Sequence, residues 1–231
     1  MCTNFVPSVR QEIAAMQAEP VRMPQQSWPE ETFPGYDAPI VLRNAQGELE
    51  CRVARFGLIP HWCKDAAQAQ AIGRKTYNAR SETAAEKPSF RGPWHHRQWA
   101  LAPMRAFFDP CWEDAHRHGG RTVRWKMQMP DASPFAVAGL WEQWVHPQTG
   151  QTTDSFTLLT VNADGHAIMD RLHRPGEEKR MPAILAAQDY SAWLAATPDR
   201  ALQFLRPWDA AHMVAGPAST VQEQPRQDCL W

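Results

Sequence analysis

Apolar and polar positions in this chain alternate over short runs more often than they recur at helical spacing. Residues 40–43 and 49–57 are two apolar, β-branched-rich runs flanking Asn44-Ala45-Gln46-Gly47, a pattern that predicts a β-hairpin. Residues 99–103, 121–128, 135–144 and 156–161 are rich in aromatic and β-branched side chains and predict further strands. Helical spacing is limited to 9–18, with Ser8 as the expected N-cap, to a short segment at 164–172, and to 189–196 and 199–206, divided by Thr197-Pro198. Residues 181–185 predict one more strand, and the proline-rich stretch 19–39 an extended loop. With no repeat and no long linker, the pattern predicts one β-rich α+β domain over residues 1–215 with helices at its margins. A polar, mobile tail is expected at 216–231.

Composition narrows the picture. A hydrophobic share of 43% with 11 tryptophans supplies a real core. The 5 cysteines, Cys2, Cys51, Cys63, Cys111 and Cys229, are an odd number with no C-x-x-C pair. That points to a reducing compartment rather than a disulfide framework or a zinc ribbon. Cys51, Cys63 and Cys111 read as small core hydrophobes. No signal-like segment and no long apolar run is present, so a soluble cytoplasmic protein is expected, nucleoid-associated if bacterial, with no membrane partner. A net charge of −1 gives no support for nucleic-acid binding as a whole-protein property. Any such site must be a local patch, and residues 74–97, with Arg74, Lys75, Arg80, Lys87, Arg91 and Arg97, are the densest basic interval. No glycine-rich phosphate loop and no G-x-S-x-G occurs, and no cofactor is implied. His95-His96 and His116-Arg117-His118 lack a spaced cysteine or carboxylate to complete a metal site.

The candidate chemistry begins at Cys2. Removal of Met1 would leave an α-amine, with a reference pKa of about 7.7–8.0, beside a thiol of about 8.5, both partly deprotonated near neutrality. Together they can condense with an aldehyde to a Schiff base and close it to a thiazolidine. Three further clusters accompany it: Asn78-Ala79-Arg80-Ser81-Glu82-Thr83, Asp109 after Phe107-Phe108, and His173-Arg174 ahead of Arg180-Met181-Pro182. Taken singly, Asn78 reads equally well as a helix cap, Arg80 and Glu82 as an exposed pair, Asp109 as a turn residue before Pro110, and His173 as a structural histidine.

In this order the clusters resemble the SRAP family of abasic-site-processing proteins. Met1-Cys2-Thr3-Asn4-Phe5 stands for the family's M-C-G-R-F, and N-A-R-x-E-T is complete at 78–83. Phe56-Gly57-Leu58-Ile59-Pro60-His61-Trp62 is similar to its W-G-L-I-P-x-W, Tyr36-Asp37-Ala38-Pro39 weakly to a further loop, and Gly139-Leu140-Trp141-Glu142 to a strand. The resemblance implies a barrel-like, twisted antiparallel sheet with peripheral helices, and a monomer that acts on abasic sites in single-stranded DNA. It implies Cys2 as the crosslinking nucleophile, Asn78 as an orienting group, Asp109 as general acid/base and His173 as an aid to sugar ring opening. Arg80 and Arg174 would meet DNA, and Pro39 and Trp62 would wedge or stack against bases. Removal of Met1 would be a peptidase-like, self-processing step.

Three departures qualify the resemblance. Thr3-Asn4 replaces glycine and arginine, removing one expected phosphate contact; glutamate has become the shorter Asp109, which Glu113 could replace in a rearranged loop; and 175–179 is inserted after His173-Arg174. Two other activities therefore stay open: a thiol autoprotease using Cys2, and a non-covalent single-stranded-DNA module with a decayed site.

Overall fold

The structure is a computed structural model and describes residues 3–113, 115 and 119–218. Its strands are β1 (Asn4–Pro7), β2 (Val21–Arg22), β3 (Asp37–Arg43), β4 (Leu49–Phe56), β5 (Asn78–Arg80), β6 (Trp99–Cys111), β7 (Val123–Gln128), β8 (Phe135–Val145), β9 (Thr152–Asn162), β10 (Arg180–Pro182), β11 (Ile184–Leu185) and β12 (Val214–Pro217). Between them lie the short helices α1 (Arg10–Ala15), α2 (Ala66–Gly73), α3 (Arg91–His95), α4 (Met169–Leu172), α5 (Tyr190–Leu194) and α6 (Pro198–Ala201). No helix among the described residues is long and apolar enough to cross a membrane.

Strands β8, β9, β4, β3 and β6 hydrogen-bond in that order, and β6 returns to β8, closing a barrel within a single domain. The expected hairpin forms between β3 and β4, with Asn44 Oδ1 accepting from the backbone N–H groups of Gln46 and Glu48 across the turn. The barrel is mixed rather than antiparallel, because β4 and β5 both run parallel to β9. Phe56 and Phe156, opposite each other in the β4–β9 register, stack with ring centroids 5.2 Å apart, and Phe5 meets Phe56 edge-on at 5.3 Å. Trp99 and Trp193 are buried with their indole N–H groups donating to the carbonyls of Ala196 and Ala100, which removes the penalty of burying them.

Several expected boundaries move. Strand β6 does not stop at Pro103 but continues through Pro110, carried by β7 and β8 on either part of its length. Val9, not Ser8, caps α1, its N–H donating to Glu12 at 2.9 Å, while Ser8 is buried. The short helix expected at 164–172 is shorter still, α4 alone, and the strand expected at 181–185 is two, broken at Ala183. β1, β2 and β5 are too short to leave a period in the sequence. Residues 214–217 form β12 against β7, so the start of the expected tail belongs to the sheet; 219–231 lie outside the described residues.

Gly57 explains part of the F-G-L-I-P run. It holds φ of +125°, and a Cβ there would lie 2.3 Å from the carbonyl oxygen of Gly73, so a side chain would drive α2 off the barrel.

Candidate active site

The site lies where β6 passes the C-terminal end of α4. The Arg171 carbonyl, left without a helical partner by the end of α4, accepts from the backbone N–H groups of Trp112 and Glu113 at 3.2 and 3.1 Å and from Cys111 Sγ at 3.4 Å. The Arg171 side chain stacks on Trp125 and pairs with Glu113 at 2.7 Å. These contacts fix the residue that follows α4, His173, over the strand.

His173 Nε2 faces Asp109 Oδ2 at 3.7 Å, with the histidine side chain 10% exposed and the aspartate side chain at 0%. Burial raises the Asp109 carboxyl above its ordinary range. Burial also pushes His173 down to about 4, with the nearby Lys179 ammonium adding to the effect and the Met169 carbonyl opposing it. The pair is therefore not a salt bridge. Its separation exceeds a hydrogen bond, the imidazole carries no charge at neutral pH, and the enclosure disfavours the ionised form of the carboxyl that it faces. A proton on His173 Nδ1 can reach the Met169 carbonyl at 3.3 Å, which leaves the Nε2 lone pair turned toward Asp109. At neutral pH this imidazole carries no charge. Nor does Glu113 stand in for Asp109, since it is half-exposed and engaged with Arg171.

Asn78 and Arg80 lie on β5, opposite Leu158 and Thr160 of β9. Asn78 is therefore a strand residue and not a helix cap. Both line a cavity of 380 Å³ together with Lys75, Thr83, Lys87 and Phe90. Trp62 is 39% exposed, its indole N–H donating to the carbonyl of Pro88 on the same cavity wall. Arg174 is exposed and stacked over Trp112. Pro39 is buried inside β3, so it has no surface with which to wedge bases. Cys2 lies outside the described residues. The strand it leads into is described: β1 runs antiparallel to β6 with Asn4 opposite Phe108, one position from Asp109.

Sequence reasoning missed three features of the site. Arg180, 3% exposed, is gripped bidentately by Glu82 at 2.8 and 2.9 Å, by Glu178 at 2.7 Å and by the Thr160 carbonyl at 2.7 Å. Glu82 thus joins the N-A-R-x-E-T segment to R-M-P rather than pairing with Arg80. Asn4 is buried and donates to Glu31, which also holds Arg124, whose guanidinium lies over the Phe108 ring. Asn4 adds no cation there; Arg124, from β7, brings one to the same strand edge. Finally, His61 Nδ1 lies 2.7 Å from buried Glu142, whose carboxyl burial raises. Charges paired across sheet neighbours leave no mark on spacing along the chain. Among the described residues no cluster of histidine, cysteine and carboxylate is placed to hold a metal; His116 and His118 lie outside them.

The family model for SRAP, the SOS response associated peptidases, matches residues 1–224. This chain belongs to the SRAP family. Within it, the chain is 33% identical over 178 residues to "Abasic site processing protein YoqW" of Bacillus subtilis, covering 75% of this chain and 71% of that protein. It is 27% identical over 199 residues to "Abasic site processing protein HMCES" of Gallus gallus, covering 75% of this chain and 54% of that longer protein. The SRAP barrel described above is also that of a crystal structure of a Bordetella bronchiseptica protein, with a TM-score of 0.83 at 30% identity over 94% of this chain and 100% of the other. A Bacteroides thetaiotaomicron structure shares the fold, with a TM-score of 0.80 at 24% identity over 95% and 93% of the two chains.

Proposed function

We propose that this SRAP chain binds single-stranded DNA and captures an abasic site through the aminothiol of Cys2. The observation that supports it best is the enclosed Asp109–His173 pair, 3.7 Å apart, beside the strand into which Cys2 leads. Adjacent Cα atoms are about 3.8 Å apart. Cys2 is thus tethered through Thr3 to the start of β1, within a short reach of that pair.

The chemistry follows from these groups. The ring-closed sugar of an abasic site must open before it offers an aldehyde. A neutral His173 beside a carboxyl of raised pKa can move a proton at the ring oxygen without bringing a charge into the enclosure. The Cys2 amine then attacks C1′, and the carbonyl oxygen leaves as water after protonation from Asp109. The thiol adds across the resulting C=N bond, its proton passing to nitrogen, and a thiazolidine results. Asn78 orients the sugar, Arg80 and Arg174 meet phosphates, and Trp62 offers an exposed face for a base. The relatives named abasic site processing proteins support the substrate class.

The test is the intact mass of the protein before and after incubation with a single-stranded oligonucleotide carrying one abasic site. The expected result is loss of Met1 and a heat-stable adduct equal to protein plus DNA less one water, absent in Cys2→Ala. A mature terminus with no adduct would overturn the proposal and leave a thiol peptidase or a non-covalent binding module.

A further inference from the structure

The segment joining His173 to β10 is Arg174-Pro175-Gly176-Glu177-Glu178-Lys179. It turns at Gly176, with φ of +82°. Lys179 anchors its far end: the backbone N–H donates to Asp164 at 2.8 Å, and Nζ donates to the carbonyls of His173 and Arg174 at 3.1 and 2.8 Å. Glu178 is thereby set between two arginines. One of its oxygens accepts from Arg180 at 2.7 Å, and the other forms an ion pair with Arg80 at 2.8 Å. The two arginines differ. Arg180 is buried and held by Glu82 as well, whereas the Arg80 side chain is 56% exposed and borders the 380 Å³ cavity. Lys75 and Lys87 line the same cavity, and among the described residues neither forms an ion pair.

We infer that Glu178 is an internal occupant of the place where Arg80 takes a nucleic-acid phosphate, so that a DNA strand must displace it to engage Arg80. The inference rests on the DNA-binding reading above and adds to it a residue that tunes affinity. A carboxylate and a phosphate present a guanidinium with the same pair of acceptor oxygens. The internal pair is half-exposed and therefore weak. An incoming phosphate, drawn also by Lys75 and Lys87, can outcompete it. Glu178 keeps Arg180 as a partner when Arg80 leaves, so the loop need not unfold. The insertion that carries Glu178 thus acts as a brake of modest strength on strand binding.

The test reads non-covalent binding alone, using the full chain and unmodified oligothymidine, which has no aldehyde, in fluorescence anisotropy at low salt. Glu178→Gln should bind about 2- to 5-fold tighter, the range set by loss of a half-exposed ion pair. Glu177→Gln removes the same formal charge from the neighbouring position and should leave affinity essentially unchanged. The gain should vanish when Glu178→Gln is combined with Arg80→Gln. Glu178→Asp retains the charge but shortens the reach to Arg80; it too should tighten binding, and it serves if the glutamine variant folds poorly. Affinity equal to wild type in both Glu178 variants, an equal gain in Glu177→Gln, or a gain that survives loss of Arg80 overturns the inference while leaving DNA binding intact. Failure of the wild type to bind oligothymidine overturns both.

Discussion

Replacing Asp109 by asparagine separates the chemistry of this carboxyl from its packing. The side chain is wholly enclosed, so the substitution keeps its volume and shape and removes only a proton that can be given up and taken back. Burial already disfavours the ionised carboxyl, so the amide adds no new desolvation cost to the folded protein. The expected change in stability is under about 1 kcal/mol. Were Asp109 ionised and paired with a charged His173, losing one partner of that buried pair would cost about 3–5 kcal/mol. Activity should respond far more strongly. Proton transfer by a positioned side chain is worth about 10²–10⁴-fold, which at about 1.36 kcal/mol per decade is roughly 2.7–5.4 kcal/mol of activation free energy. The assay is the single-turnover rate of adduct formation with protein in excess over an abasic oligonucleotide, alongside a urea melt of both proteins. Crosslinking at the wild-type rate would refute a proton-transfer role for Asp109. A loss of about 3 kcal/mol or more in the melt would refute an uncharged His173 facing this carboxyl.

Four further outcomes follow from the same geometry. The imidazole of His173, held at about 4 by burial, should stay neutral in a histidine NMR titration from pH 8 to about 5.5; a midpoint near 6.5 would contradict its enclosure. The linked stability has a definite sign: as pH falls from about 6.5 toward 4 the unfolded chain takes up a proton that folded His173 refuses, so this group removes stability over that window. Asp109, with its folded pKa raised, opposes this by removing stability as pH rises past the ordinary aspartate value. Arg180→Met should cost about 2–4 kcal/mol in a denaturant melt, less than a fully buried pair because the carboxylates left behind, Glu82 and Glu178, reach solvent; a cost under 1 kcal/mol would show that the clamp carries little of the fold. Gly57→Ala should cost 2 kcal/mol or more through its clash with the Gly73 carbonyl, and unchanged stability would mean that α2 yields freely. Trp62→Ala should weaken oligothymidine binding by about 1–3 kcal/mol without altering the melt, and equal affinity would remove it as a stacking platform.

The hairpin between β3 and β4 and the central runs of β7, β8 and β9 were legible in the chain because each strand carries its own apolar pattern and the Asn44–Gly47 turn its own chemistry. The candidate chemistry at Cys2, Asn78, Arg80, Asp109 and His173 was legible because those residue types stand in short motifs with a recognisable order. What could not be read was anything that depends on which strands become neighbours. A three-residue β5 has no period, and it exists because β9 offers it a parallel edge. The fate of Pro39 as a buried strand residue, and of Asn4 as an inward partner of Glu31, was set by the barrel's closure. The neutral state of His173 and the raised pKa of Asp109 arise from burial, a property of the packed whole that no spacing encodes. Glu82 and Arg180, and Glu178 and Arg80, meet across the sheet at distances in sequence that leave each charge looking like an ordinary solvated residue. Local pattern therefore determined which residues could do chemistry. Only tertiary structure decided which of them face one another and in what ionisation state, because both follow from desolvation and from contacts between segments far apart along the chain.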